Sequence, residues 1–261
     1  MSINPDGQQK HAGQGGAIRL DTTPQPAVTR AREPVTRSRG LVRGQFPSTK
    51  MKRMIAWESQ LEQKACYHFE FCSRVISYRE QPETLHLPDG GRMYRYTPDF
   101  ELVLPDGEIV FVEIKPLSKL FSKLIYERLQ LAGSFLKEKG YQFIVMTDEE
   151  LNHPIRNRNF SILRSYLKVH LPDRIIQEAA SWLLSEPYPT VEKLSRFVGL
   201  QSISFALIAQ QHIGFDFYQA LNNDSEIYSI QNKQYKNETC HFTYRTGSDF
   251  KQCAVPSDSD A

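Results

Sequence analysis

Four cysteines in 261 residues (Cys66, Cys72, Cys240, Cys253) are too few to staple a chain of this length, which excludes a disulfide framework. No run approaches the roughly 18 apolar residues a membrane helix needs. The longest clean one, Ile109-Val110-Phe111-Val112, is only strand-sized. No apolar segment follows Met1, so a secretory leader is not expected and the cytoplasm is the expected compartment. A GxxxxGK[ST] phosphate loop is missing, so this chain is not expected to hydrolyse ATP. No Ser/His/Asp arrangement stands out, and His153, His170 and His212 have no motif around them. An overall excess of either charge is missing too: 32 Lys+Arg stand against 30 Asp+Glu. With 40% hydrophobic and 24% charged residues, what remains is a soluble globular class with room for one large or two small domains.

The balanced charge hides a division. Residues 1–53 hold ten Lys or Arg and three acids, a net of +7, which leaves −5 for the remainder. A basic arm on a mildly acidic body suggests a polyanion partner, because each cation that neutralises a phosphate releases a condensed counterion. A solvated tail is the alternative reading.

Residues 1–47, rich in Gly, Gln, Pro, Thr and Arg, lack apolar periodicity and read as a disordered basic arm. Residues 48–72 read as a helix, with Met54, Trp57, Leu61, Ala65, His68 and Cys72 on one stripe and Ser48 or Thr49 as cap. Strands are expected at 75–78, at 84–87 and 92–96 around Pro88-Asp89-Gly90-Gly91, and at 99–104 and 108–115 around Pro105-Asp106-Gly107. Residues 117–139 read as one helix with Gly140 past its end, and 141–147 as a strand. The order α-β-β-β-β-α-β describes a mixed sheet with flanking helices, closing near residue 150. Beyond it, helices at 157–168, 172–185, 190–199 and 202–212 and strands at 215–221 and 226–231 match a small winged-helix-like domain over 151–231. Its second presumptive reading helix offers Gln201, Gln210 and Gln211 but no Arg or Lys, which favours protein docking over base reading. Residues 232–261 form a polar tail.

The chemistry concentrates in Pro98-Asp99 and Glu113-Ile114-Lys115. On a strand, residues two apart share a face, so Glu113 and Lys115 point one way and Val112 and Ile114 the other. If Pro105-Asp106-Gly107 is a three-residue loop, Leu104 opposes Glu108 and Asp99 opposes Glu113. Facing side chains in an antiparallel pair stand about 5 Å apart. Two carboxylates that close repel unless a cation intervenes, and a hard divalent ion, Mg²⁺ or Mn²⁺, resolves the repulsion. Lys115 then stands beside the metal, placed to orient or activate water or to stabilise phosphate charge. Each element alone is weak: Glu-x-Lys on a strand is usually a solvated face and Pro-Asp usually a turn. Cys66, His68 and Cys72 share a helix without a fourth ligand, so core packing is expected there rather than zinc.

The arrangement Pro98-Asp99…Glu113-x-Lys115 resembles the PD-(D/E)xK motif of the restriction-endonuclease-like fold. The order Ser59-x-Leu61-Glu62, Tyr78-Arg79-Glu80-Gln81-Pro82, Tyr96-x-Pro98-Asp99-Phe100 and Val112-Glu113-Ile114-Lys115-Pro116 is similar to the TnsA family, endonuclease subunits of heteromeric bacterial transposases. The likeness covers 48–150 well and extends more loosely to 230. It implies an α/β restriction-endonuclease-like mixed sheet followed by a winged-helix-like domain. It implies Glu62, Asp99 and Glu113 as carboxylate ligands of Mg²⁺, with a contact from the Ile114 carbonyl, and Lys115 as the catalytic lysine. It implies cleavage at the 5′ ends of a transposon, an integrase-type transposase (TnsB-like) and an ATPase regulator (TnsC-like) as partners, and a place on the bacterial nucleoid when bound to DNA. For Glu62 the competing reading is a surface acid paired with Lys64 or Lys52, and Glu58 is the substitute if the helix is rotated by a turn. Two other functions stay open: a non-catalytic adaptor binding DNA and protein, and a stand-alone restriction or repair nuclease.

Overall fold

The computed structural model describes residues 42–230. The basic arm up to residue 41, and residues 231–261 with the whole of the tail, lie outside the described residues. The chain opens on an antiparallel hairpin, β1 (Gly44–Ser48) and β2 (Arg53–Trp57), and enters α1 (Gln60–Phe71). Then come β3 (Ser77–Glu80), a second hairpin of β4 (Leu85–Asp89) and β5 (Arg92–Tyr96), and a third of β6 (Phe100–Val103) and β7 (Ile109–Ile114). Two helices, α2 (Leu117–Leu120) and α3 (Lys123–Glu138), cross over to β8 (Gln142–Met146), parallel to β7. The central sheet runs β3-β6-β7-β8, antiparallel except for that last pair.

Both faces of this sheet are covered, so its inner strands read as continuous apolar runs. Val110, Val112 and Ile114 of β7 and Ile144 and Met146 of β8 pack against Ala65, Cys66 and Phe69 of α1. The alternate residues turn the other way. Phe111 joins Ala132 and Leu136 of α3 and Leu85, Leu87 and Tyr96 of the second hairpin, while Val145 joins Leu120 and Leu129. The mixed α/β architecture fits the restriction-endonuclease-like fold expected from the sequence.

The expected helix over 48–72 is wrong in its first half. Phe46, Ser48, Ile55 and Trp57 are buried at two-residue spacing, which is strand periodicity. Lys52, at φ 52°, turns the chain between the strands. The first strand also takes in Gly44 to Pro47, which the sequence had assigned to the arm. The helix begins at Ser59, not at Ser48 or Thr49: Ser59 Oγ accepts the Glu62 N–H. The hairpin is pinned to α1 by a buried carboxylate. Glu70 accepts from Ser48 Oγ (2.7 Å), from the Thr49 and Lys50 N–H groups (2.7 and 2.8 Å) and from Tyr78 Oη (2.8 Å).

The expected helix over 117–139 breaks at Phe121-Ser122, where Ser122 is extended. Leu124 is 56% exposed, and Leu129, Ala132 and Leu136 carry the buried face. Gly140 sits at φ 81° just past the helix, where a residue without Cβ is unstrained.

After α4 (Asp148–Leu151) come α5 (Pro154–Leu163), a 3₁₀ turn (Arg164–Tyr166), α6 (Asp173–Ser185), α7 (Val191–Val198) and α8 (Gln201–Ala209). They build a second core with Phe160, Leu163, Leu183, Leu194, Leu207 and Phe215, into which Phe71 of α1 reaches. The two expected strands shrink to β9 (Gly214–Phe215) and β10 (Ile227–Tyr228). β9 stops early because Asn159 takes over the backbone bonding beyond it. Its Nδ2 donates to the Phe217 and Gln219 carbonyls and its Oδ1 accepts the Leu221 N–H. Cys66 is a free buried thiol and Cys72 is disulfide-bonded. Among the described residues no helix is long and apolar enough to cross a membrane.

Candidate active site

One cleft of about 980 Å³ opens where the second hairpin, the C-terminal end of β7 and the N-terminal end of α1 meet. Glu62, Asp99, Glu113, Ile114 and Lys115, all singled out in the sequence, line it together. The third hairpin has the register its loop length predicted. Phe100 pairs with Val112 and Val103 with Ile109, so one step further Asp99 faces Glu113. The three-residue loop is closed by Leu104 N–H to the Glu108 carbonyl at 2.9 Å.

Each side chain is held by its element. Asp99 precedes β6; its carbonyl accepts the Gln81 N–H at 2.8 Å, and its Oδ2 accepts the Ile114 N–H at 2.8 Å. Glu113 is 4% exposed. Its Oε1 lies 2.6 Å from Lys115 Nζ and its Oε2 accepts from Tyr96 Oη at 2.6 Å. Lys115 Nζ also stands 3.8 Å from Asp99 Oδ2, which puts one ammonium between the facing carboxylates. Glu62 is the third residue of α1 and serves the helix start: its oxygens accept from the Glu58 N–H (2.7 Å) and Ser59 Oγ (3.0 Å). It shares the cleft without sharing the lysine. Glu58 also lines the cleft, but it precedes α1 rather than lying one turn earlier on it.

Negative charge is in excess at the cleft floor. Burial first, then Glu113, pushes the Asp99 carboxyl up to about 7, against the pull of Lys115 and the Ile114 N–H. Burial and then Asp99 push Glu62 up to about 7. For Lys115, burial works against the ammonium, but Asp99, Glu113 and Glu62 outweigh it and hold its pKa above the ordinary lysine value. Burial, then Glu113, holds the Tyr96 phenol well above its usual range, so it stays a donor.

A stability effect follows. The folded Asp99 pKa lies above its ordinary value of 3.8, so between 3.8 and about 7 the folded state keeps a proton that the unfolded state has lost. Stability therefore falls as pH rises through that window. Asp99→Asn removes the loss. Thermal melts in EDTA are expected to place the variant above wild type at about pH 8, with the gap closing towards about pH 4. A variant melting below wild type at the higher pH contradicts the excess-charge account.

Four residues of the cleft were not marked in the sequence. Tyr96 is one, though it stands in the Tyr-x-Pro-Asp segment. The others are rim cations. Arg95, Lys119 and Arg128 line the same cleft and are exposed, and the Arg128 guanidinium lies 4.8 Å from the centre of the Tyr94 ring. They come from β5, α2 and α3, so no local spacing signals them. Among the described residues, no three His, Cys, Asp or Glu side chains stand together as a metal-ligand set. The Cys66, His68 and Cys72 trio accordingly forms no such set, with His68 buried edge-on against Phe160.

No curated protein matches the chain. Residues 72–148 match the family described as TnsA-like endonuclease N terminal, a stretch that holds Asp99, Glu113 and Lys115 but not Glu62, and that supports a TnsA-like nuclease domain.

Proposed function

We propose that the chain is a Mg²⁺-dependent DNA endonuclease subunit of a transposase, hydrolysing phosphodiesters at the 5′ ends of a transposon. The observation that carries this reading is the meeting of Asp99, Glu113 and Lys115 on one β-hairpin inside the matched stretch.

The residues fit a hard cation chemically. Mg²⁺ is commonly held by one or two carboxylates, with water and substrate phosphate completing its shell. Asp99 and Glu113 would hold it, and their mutual repulsion is what a divalent charge relieves. The Ile114 carbonyl is a further candidate contact. Glu62 would join after leaving its cap bonds, which makes its part conditional on a side-chain movement. The ion, Mg²⁺ or Mn²⁺, supplies Lewis-acid polarisation of a phosphoryl oxygen. Lys115, held charged by its carboxylates, stabilises charge developing on the phosphate rather than taking a proton from water. Arg95, Lys119 and Arg128 grip flanking phosphates.

On this reading residues 1–43 form an arm on DNA, 44–150 the nuclease domain, since β1 belongs to its core, 151–231 a winged-helix-like domain and 232–261 a tail. The second domain docks the integrase-type transposase and the ATPase regulator. What supports docking over base reading is that the candidate glutamines are engaged internally. Gln210 Nε2 donates to the Tyr166 and Val169 carbonyls, Gln211 Nε2 to the Glu70 carbonyl, and Gln201 Nε2 to Asn223 Oδ1.

The test is nicking of transposon-end duplex by the full chain, alone and with its transposase, in Mg²⁺, Mn²⁺, Ca²⁺ or EDTA. Cleavage in Mg²⁺ or Mn²⁺, lost in EDTA, is expected; cleavage that survives EDTA ends the metal reading. Cleavage only in the mixture favours the transposon role over a stand-alone nuclease. DNA binding measured in Ca²⁺ should lose about 1 from its log–log salt slope for each of Lys119→Ala and Arg128→Ala. An unchanged slope in the double variant removes those residues from the phosphate path.

A further inference from the structure

We infer that Tyr96 is a positioning residue that fixes the Glu113 carboxylate for a divalent cation, an inference that rests on the metal-dependent reading above. Tyr96 ends β5, on a hairpin that shares no backbone ladder with the central sheet. Its ring is 8% exposed, in the cluster of Leu85, Leu87, Phe111, Ala132 and Leu136, and edge-on to Phe143 at 6.2 Å. From that packed base the hydroxyl donates to Glu113 Oε2 at 2.6 Å.

The consequence lies in how the two oxygens of Glu113 are divided. The phenol fixes Oε2 from the buried side, and Oε1 is left to Lys115 and the cleft. A carboxylate tethered only by Lys115 could rotate about its last bond and follow the ammonium. With the phenol in place, one lone-pair face stays directed beside Asp99. The ring's own packing sets where the hydroxyl sits, so the second hairpin governs the aim of a ligand on the central sheet. Partners one shell beyond a ligand typically change metal affinity 10- to 100-fold when removed.

The experiment is Mn²⁺ titration of the full chain without DNA, by calorimetry and by loss of the free-Mn²⁺ EPR signal. Wild type, Asp99→Ala, Tyr96→Phe and a packing control, Phe143→Leu, are compared, each with a thermal melt. Wild type should bind Mn²⁺ in a way Asp99→Ala abolishes. Tyr96→Phe, which keeps the ring, should bind about 10- to 100-fold more weakly. Phe143→Leu should keep wild-type affinity. Tyr96→Phe binding as wild type overturns this inference and leaves the nuclease reading standing. An equal loss in Phe143→Leu also overturns it, by making the effect one of packing. Mn²⁺ binding indifferent to Asp99→Ala overturns the metal reading, and this inference with it.

Discussion

Asp99→Ala and Lys115→Ala are each expected to lower the rate of strand nicking by about 10³-fold or more while the protein stays folded. The size follows from what each group supplies. A preorganised charge aimed at developing negative charge is worth on the order of 10²- to 10³-fold in rate when deleted. On the proposed reading Asp99 would add to this by holding a cation that polarises the phosphate. The fold should survive, because neither side chain belongs to the cores on either face of the sheet. Asp99 precedes β6 rather than sitting within it, and Lys115 follows β7, its N–H bonded to the Met146 carbonyl whatever its side chain. The two deletions should not add. Lys115 Nζ lies within 4 Å of both carboxylates, so the three groups work as one unit, and the double variant should be scarcely worse than either single one. Single-turnover cleavage at saturating Mg²⁺ measures all three. Nicking retained at wild-type rate in both single variants would falsify the nuclease proposal and favour an adaptor whose carboxylates are structural.

How much of this could be read in the sequence depended on the range of the interaction. The Asp99–Glu113 register came out right because a three-residue loop fixes it locally, and loop length is written in the chain. The first hairpin was lost because Met54, Trp57 and Leu61 fit a helical stripe as well as Ile55 and Trp57 fit a strand face. Short apolar stretches do not separate the two periods. A deciding signal was present: Ser59 three residues before Glu62 is an N-cap pattern, its Oγ taking the Glu62 N–H, and it dates the helix start to residue 60. The same four residues carry the resemblance that implies Glu62 as a metal ligand, so one pattern has a structural and a proposed chemical reading at once. The shortened β9 could not have been foreseen, since Asn159 lies more than fifty residues from the backbone it captures. Tyr96 and the rim cations belong to the same case, assembled from elements that only the fold brings together.

The largest effect on stability is expected at Glu70, far from the cleft floor but tied to it. This carboxylate is 2% exposed and accepts four hydrogen bonds, two from the turn of the first hairpin and two from the hydroxyls of Ser48 and Tyr78. It also faces the Lys50 ammonium, which donates to the Phe69, Cys72 and Val75 carbonyls at 2.7–2.8 Å and so closes the C-terminal end of α1. Burial lowers the Lys50 pKa to about 8, and the Glu70 charge is what opposes a further fall. Glu70→Ala strands two backbone N–H groups and removes the counter-charge of the partly buried Lys50 ammonium, a change that costs about 3–5 kcal/mol. At about 2–4 °C per kcal/mol for a protein of this size, Tm should drop by about 10 °C. Glu70→Gln should lose less, because its carbonyl can still take the two N–H groups while the hydroxyls of Ser48 and Tyr78 turn to accept from the amide. The lost counter-charge for Lys50 remains in both variants, so neither should match wild type. Cleavage should suffer indirectly: the hairpin that Glu70 anchors runs through Trp57 into Glu58 and Ser59, the cap that holds Glu62. Differential scanning calorimetry of the two variants decides the point, and an alanine variant melting within about 2 °C of wild type rules out Glu70 as the clasp between hairpin and helix.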